Sequence, residues 1–319
     1  MKLITPIWTG GINNINYNVW EIKPSGIIGS LRWWYEAIKR GEGKAVCNVL
    51  RDPCEKNSLC DVCKIFGNTD KRRSFILRID SSKLYKHNIY GNFRPNGRRR
   101  GWYLPRGLVG ELKLTFIGPK ETISEINFLM HFLEKYGGLG SKQQMGYGTF
   151  IISEYKLVEP KNVDSKFIKS IRKLNLVSNN NSSLYPNIAN FKIYEFKLDT
   201  LKIRQLYQNF PTGPLFNKNG VPNNPHPMYP IIKNYLRYKY HPNAQVNKGY
   251  FFGYVSGNNR MKGKLYVSWA FVDDEKKMWH FKILTLEDLD NGRWVNKLTN
   301  WLINKNVSSN IVSQGVPIK

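Results

Sequence analysis

The sequence predicts an α+β protein. Two ferredoxin-like units (βαββαβ, RRM-like) stand in tandem, the second degenerate, with a cysteine-rich insertion in the first. Three observations predict it. Over residues 1–157 the apolar pattern runs strand, helix, strand, strand, helix, strand. The 319 residues are 41% hydrophobic, enough for a core, and suit two units of roughly 150 residues each. Residues 158–188 are polar, with three asparagines at 179–181, and read as a linker to a second basic unit at 189–319.

Taken in order, residues 3–9 read as a strand, ended by Gly10 and Gly11. Residues 25–40 read as a helix, because Ile28, Leu31, Tyr35 and Ile38 recur near helical spacing and Gly41 follows as a stop. Of the adjacent Trp33 and Trp34, one is expected in the core, since neighbours on a helix point about 100° apart. The cysteine segment, about 44–66, reads as an irregular insertion. Residues 74–80 read as a strand, 82–107 as a long basic, Gly-rich excursion, and 108–117 as a strand alternating at Leu112, Leu114 and Phe116. Residues 121–136 read as a helix with Ile126, Leu129, Met130 and Leu133 on one face. A Gly-rich loop at 137–148 and a strand at 148–157 complete the unit. In the second unit, residues 191–199, 249–255, 264–272 and 278–284 read as strands, and 229–240 and 292–304 as helices. No clean final strand follows residue 305, hence the degenerate description.

Charge narrows the function. With 49 Lys+Arg against 23 Asp+Glu, the net charge is +26, and 43 aromatic residues accompany it (9 Trp, 18 Tyr, 16 Phe). That pairing suits single-stranded nucleic acid, where cations track phosphates and rings stack on bases. The charge is regional. Residues 71–106 hold eleven Lys+Arg and one acid, Asp80, and residues 200–272 hold ten Lys+Arg and no acid. Candidate phosphate contacts are Arg72, Arg73, Arg98, Arg99 and Arg100 in the first field, and Arg260 and Lys262 in the second. Tyr85, Tyr90, Phe93, Trp102 and Tyr103 interleave with the first field as stacking candidates. No run of about 18 apolar residues exists, so no membrane span is expected. The amino terminus has no apolar h-region, so the expected location is the cytoplasm.

All four cysteines, Cys47, Cys54, Cys60 and Cys63, fall in 17 residues as C-x6-C-x5-C-x2-C. The pattern fits a structural zinc centre, free thiols in a core, or two disulfides; zinc is favoured, and disulfides are disfavoured without a secretory signal. Four thiolates leave zinc no open position for catalysis. The loop GGLGSKQQMGYG at 137–148 has five glycines in twelve residues, and Lys142, Gln143, Gln144 and Tyr147 are its candidate RNA contacts. It runs from helix to strand, the reverse of a dinucleotide-binding turn, and no P-loop is present, so no nucleotide cofactor is expected.

These segments carry a resemblance. TPIWTGG at 5–11, SLRWWYEAI at 30–38, CDVCKIFGNT at 60–69 and GGLGSKQQMGYGTF at 137–150 resemble, in order, the RAMP superfamily of CRISPR RNA-binding proteins. Within it they are most similar to the subunit-one family of type III-B (Cmr) effector complexes. The resemblance is specific over 1–155 and weak over 189–319. It implies a non-catalytic subunit that works with other RAMP subunits, holding the 3′ region of the CRISPR RNA and the 5′ part of the target RNA. It carries Arg32 over as a phosphate contact beside Gly10 and Gly11. Family subunits that cleave the target use an aspartate in the loop after the first strand, whereas residues 10–29 here hold only Glu21 as an acid. Processing enzymes of the family lean on histidine. Here His87 is the one candidate, and His131, within the second helix, is expected to be packed. An endoribonuclease processing precursor RNA and a stand-alone RNA-binding protein remain the alternatives.

Overall fold

The structure is a computed structural model that describes residues 1–9, 21–48, 53–55, 57–94, 101–155, 185–208, 215–217, 219, 222–238, 240, 251, 253–256, 259–273, 278–302 and 312–317. Gly10, Gly11, Arg98, Arg99, Arg100 and most of the expected linker lie outside the described residues, as do the side chains of Arg260 and Lys262.

The chain is mixed α+β. Strand β1 (Lys2–Ile7) leads to α1 (Pro24–Gly41). Pro24 at the first turn costs no helical hydrogen bond, and Lys39 and Arg40 in the last turn complement the dipole. Ile27, Leu31, Trp34, Tyr35 and Ile38 are buried along one face. Trp34 is thus the core member of the tryptophan pair, and Ile27 replaces the expected Ile28, which is half-buried. The cysteine segment is not wholly irregular: it holds α2 (Asp61–Phe66), with Val62, Cys63, Ile65 and Phe66 buried.

Next come β2 (Ile76–Asp80), β3 (Leu84–Lys86), β4 (Gly91–Phe93), β5 (Trp102–Leu104), β6 (Leu108–Glu111) and β7 (Lys113–Ile117). The expected single strand over 108–117 is broken at Leu112, which is buried and whose N–H donates to the Met1 carbonyl. Helix α3 (Lys120–Tyr136) buries the predicted Ile126, Leu129, Met130 and Leu133. Strand β8 is only Phe150–Ile151, shorter than expected over 148–157. The first main sheet has the order β3-β6-β1-β8, every neighbour antiparallel, and β2 pairs β7 beside it.

The second half runs β9 (Lys192–Asp199), α4 (Thr200–Leu206), β10 (His226–Pro227), α5 (Tyr229–Tyr238), β11 (Gly253–Ser256), β12 (Asn259–Lys262), β13 (Leu265–Val267), β14 (Trp269–Asp273), β15 (Met278–Thr285), α6 (Arg293–Leu302) and β16 (Val312–Pro317). The expected strand over 264–272 is interrupted at Ser268, whose hydroxyl accepts the Lys282 N–H that a regular ladder would use elsewhere. A final strand exists after all: β16 pairs β9 from Val312↔Glu195 to Pro317↔Lys192. The sequence 312–317, VSQGVP, offers little apolar alternation to announce it. The second main sheet has the order β10-β14-β15-β9-β16, again antiparallel throughout.

Two apolar cores result, and neither respects the chain midpoint. Ile89, Phe93 and Leu104 of the basic excursion and Tyr147 of the Gly-rich loop pack in the second-half core. Ile188, Phe191 and Leu284 pack in the first-half core. Each such side chain, fully buried, contributes about 1.5–3 kcal/mol, so the halves are joined by apolar burial as well as by chain.

Candidate metal centre and nucleic-acid interface

Helix α2 is short and carries the last of the four cysteines. Cys60 caps it in extended conformation, and Cys63 lies one turn on, on the buried side. Gly67 then turns the chain at φ +76; a Cβ there would stand 2.4 Å from the Lys71 carbonyl, so only glycine closes this turn. The four Sγ atoms lie within 4.8 Å of one another. Cys47 and Cys63 are 3.3 Å apart, and Cys60 and Cys47 3.8 Å. A tetrahedron of sulfurs about 2.3 Å from a zinc ion has an edge of about 3.8 Å. All four are free thiols, not disulfides. Burial pushes the Cys47 and Cys63 thiols up. Burial opposes ionisation of Cys60 too, but donors from Cys47, Cys63 and Cys54 outweigh it and bring that thiol down to about 7. The donor set therefore fits a soft divalent cation.

Arg32, expected to meet phosphate, is instead committed here. Its Nη2 donates to Cys63 Sγ at 3.6 Å, its Nη1 to the Gly67 carbonyl at 2.7 Å and its Nε to Glu36 at 2.9 Å. Three of its five N–H donors are taken by the protein.

The Gly-rich loop also binds inward. Leu139 N–H donates to the Gly148 carbonyl, Gly140 to Ser30 Oγ, Ser141 to Trp8, Met145 to Lys142, Gly146 to Gln143 and Gly148 to Pro6. Those six amides face the protein rather than an anion. Gln143 accepts from Trp34 Nε1 at 2.8 Å and donates to Gly140 at 2.9 Å, while Gln144 donates to the Gly263 carbonyl. Tyr147 is buried, with its hydroxyl on the Pro105 carbonyl at 2.6 Å, so its ring is closed to a base. Of the three, Gln144 carries its polar group across to the second half and Tyr147 packs its ring there against Trp269, while the Gln143 amide is spent within the first half. Lys142 alone of the loop candidates stays exposed, held by a left-handed backbone with its ammonium 5.3 Å from the Trp8 ring.

The basic field behaves differently. Arg72, Arg73, Arg78, Lys86 and Arg94 are exposed, with Arg73 also donating to the Phe75 carbonyl. Tyr85, Tyr90 and Tyr103 are exposed, and the Arg106 guanidinium covers one face of Tyr90 at 3.6 Å. Phe93 is buried and the Trp102 Nε1 is enclosed, so neither is a free stacking platform. His87 is half-buried; its Nδ1 accepts the Ile89 N–H, its ring meets Trp269 edge-on, and burial lowers its pKa. His131, expected to be packed, is about two-fifths exposed beside Glu134. The residues that sequence reasoning missed are Trp269 and Gly263, which receive the Gly-rich loop; nothing local marks them.

The arrangement defines an α+β protein with a four-cysteine centre, an exposed cationic and aromatic field, and a glycine-rich brace between two antiparallel sheets. Residues 1–151 match the RAMP superfamily, so this part of the chain is similar to its members. No curated protein matches the chain. No helix among the described residues is long and apolar enough to cross a membrane.

Proposed function

We propose that this protein is a non-catalytic RNA-binding subunit of a type III-B CRISPR RNA-guided effector complex. It holds the 3′ region of the CRISPR RNA and the 5′ part of the target RNA at one end of the complex, in the cytoplasm, beside other RAMP subunits. The RAMP match over residues 1–151 carries this reading. The exposed cations at Arg72, Arg73, Arg78, Lys86, Arg94 and Lys142 support it, because they supply the sequence-independent phosphate contacts that a base-pairing guide needs.

Both halves are read as ferredoxin-like, with units at 1–157 and 189–319. In each main sheet the first strand in sequence lies between the last two, antiparallel to both, as two interleaved βαβ crossovers require. A structural zinc on Cys47, Cys54, Cys60 and Cys63 fits the sulfur spacing. Absence of turnover is part of the proposal. The involvement of His87 with Ile89 and Trp269 supports a packing role, and His87→Ala is expected to leave RNA intact and binding unchanged. The deciding experiment purifies the tagged protein from its native host and sequences the RNA that comes with it. Repeat-derived guides together with several partner proteins are expected. Repeat-derived RNA without partners would favour a processing enzyme, and ribosomal or unselected RNA would sink the CRISPR assignment.

A further inference from the structure

Two separate paths leave the cysteine centre and meet at Tyr185. From Cys63, the thiol accepts from Arg32, Arg32 binds Glu36, and Glu36 holds Arg40 Nη2 at 3.3 Å. Arg40 then grips the segment that opens the second half: Nη1 donates to the Pro186 carbonyl at 3.3 Å, the guanidinium lies 5.2 Å over the Tyr185 ring, and its carbonyl accepts from Asn187 at 3.4 Å. From Cys47, the next residue, Asn48, donates from its amide to the Tyr185 hydroxyl. Just beyond, Ile188 and Phe191 are fully buried, with the Phe191 ring 6.0–6.3 Å from those of Trp33 and Trp34, and Lys192 begins β9.

We propose that the cysteine centre, loaded with zinc, is the clasp that fixes residues 185–191 to α1 and so seats the second half, with Arg32 as its positioning residue. The logic is geometric. A metal sets the Cys63 sulfur and the Cys47 loop at a fixed separation, and each is one chain of contacts from Tyr185–Asn187. Four thiolates around a dication carry a net negative charge, which the Arg32 guanidinium offsets as it donates to one of them. Without metal the two ends of the clasp move independently, and the junction loses both grips together. The inference rests on the zinc reading above, so its test separates the two.

The experiment uses the full chain. Metal content is measured first, then amide hydrogen exchange over residues 185–191 with and without stripping by a zinc chelator. Expected are about one zinc per chain and, on stripping, at least a tenfold faster exchange at 188–191, while the amides paired between β9 and β15 hold. Arg40→Ala is expected to speed exchange in the same segment with zinc still bound, and to add little after stripping. Arg32→Lys keeps the charge but loses the planar fork; zinc is expected to remain bound yet pass to the chelator about ten times faster or more. Zinc present with unchanged exchange on stripping overturns the clasp and spares the zinc reading. No zinc in protein purified without chelator overturns both. Arg32→Lys zinc release at the wild-type rate overturns the role given to Arg32.

Discussion

Gly146→Ala tests the seam between the Gly-rich loop and the second half. Gly146 sits at φ +78, and a Cβ there would lie 2.6 Å from Trp269 Cδ1, 2.7 Å from the Val267 carbonyl and 2.8 Å from the Trp269 nitrogen. Left-handed backbone costs an alanine about 1–2 kcal/mol by itself. Two of the three clashes are with backbone, so the loop must lift away. Lifting breaks the bond from Trp269 Nε1 to the Met145 carbonyl at 2.9 Å, whose donor is on a fully buried ring. A buried donor left without its acceptor costs about 1–3 kcal/mol, bringing the total to roughly 2–5 kcal/mol. Urea unfolding of the purified variant measures it. Gly29→Ala is the internal control: it is exposed in α1, with nothing within 4 Å of its added Cβ, and is expected to stabilise by about 0.5–1 kcal/mol. A Gly146→Ala protein within about 0.5 kcal/mol of wild type would refute the brace.

Further outcomes follow from charge and ligation. His226 is buried among Tyr207, Phe216 and Trp279, and burial takes its pKa from 6.5 down to about 3. The folded state therefore holds fewer protons than the unfolded one; its contribution is full above pH 6.5 and is lost as pH falls toward 3, at about 1.4 kcal/mol per pH unit. His226→Phe is expected to flatten the dependence of the urea midpoint between pH 6.5 and 5, and an unchanged slope would contradict this. Arg72→Ala with Arg73→Ala is expected to reduce the salt slope of single-stranded RNA binding by roughly 1.4, about 0.7 per contact. Gln143→Ala, whose amide is spent on Trp34 and Gly140, should leave that slope unchanged while lowering stability. Cys60→Ser is expected to abolish stoichiometric zinc and to lower the melting temperature, and retained zinc would point to ligands outside the cysteine set.

Much of the fold was legible because it rests on local pattern. Helix α3 buries the four predicted residues, and the β9 and β15 runs alternate cleanly enough to be read to within a residue. The cysteine cluster was legible for the same reason: ligands close in sequence are close in space. What failed depends on distant partners. The breaks at Leu112 and Ser268 are set by hydrogen bonds with Met1 and Lys282, and β16 exists because β9 offers it an edge. Arg32 and Gln143 looked unengaged because their partners, the Gly67 carbonyl that accepts from Arg32 and the Trp34 indole N–H that donates to Gln143, lie far along the chain.

The inward-bonded loop bears on the kind of RNA contact the proposed function would use. A glycine-rich turn whose amides point outward would bind a phosphate by short, directional bonds that salt weakens little. Here six of those amides are satisfied internally, and the glycines serve close approach to Trp8, Leu139 and Trp269 instead. The exposed cations that the proposal turns toward phosphate are long side chains at the rim: Lys142 over Trp8, and Arg72, Arg73, Arg78, Lys86 and Arg94 beyond α2. Such contacts are mobile, tolerant of sequence and strongly screened. If the proposed function holds, the protein's share of specificity is therefore small, base pairing by the guide carries it, and raising salt should release non-specific RNA well before a paired guide and target.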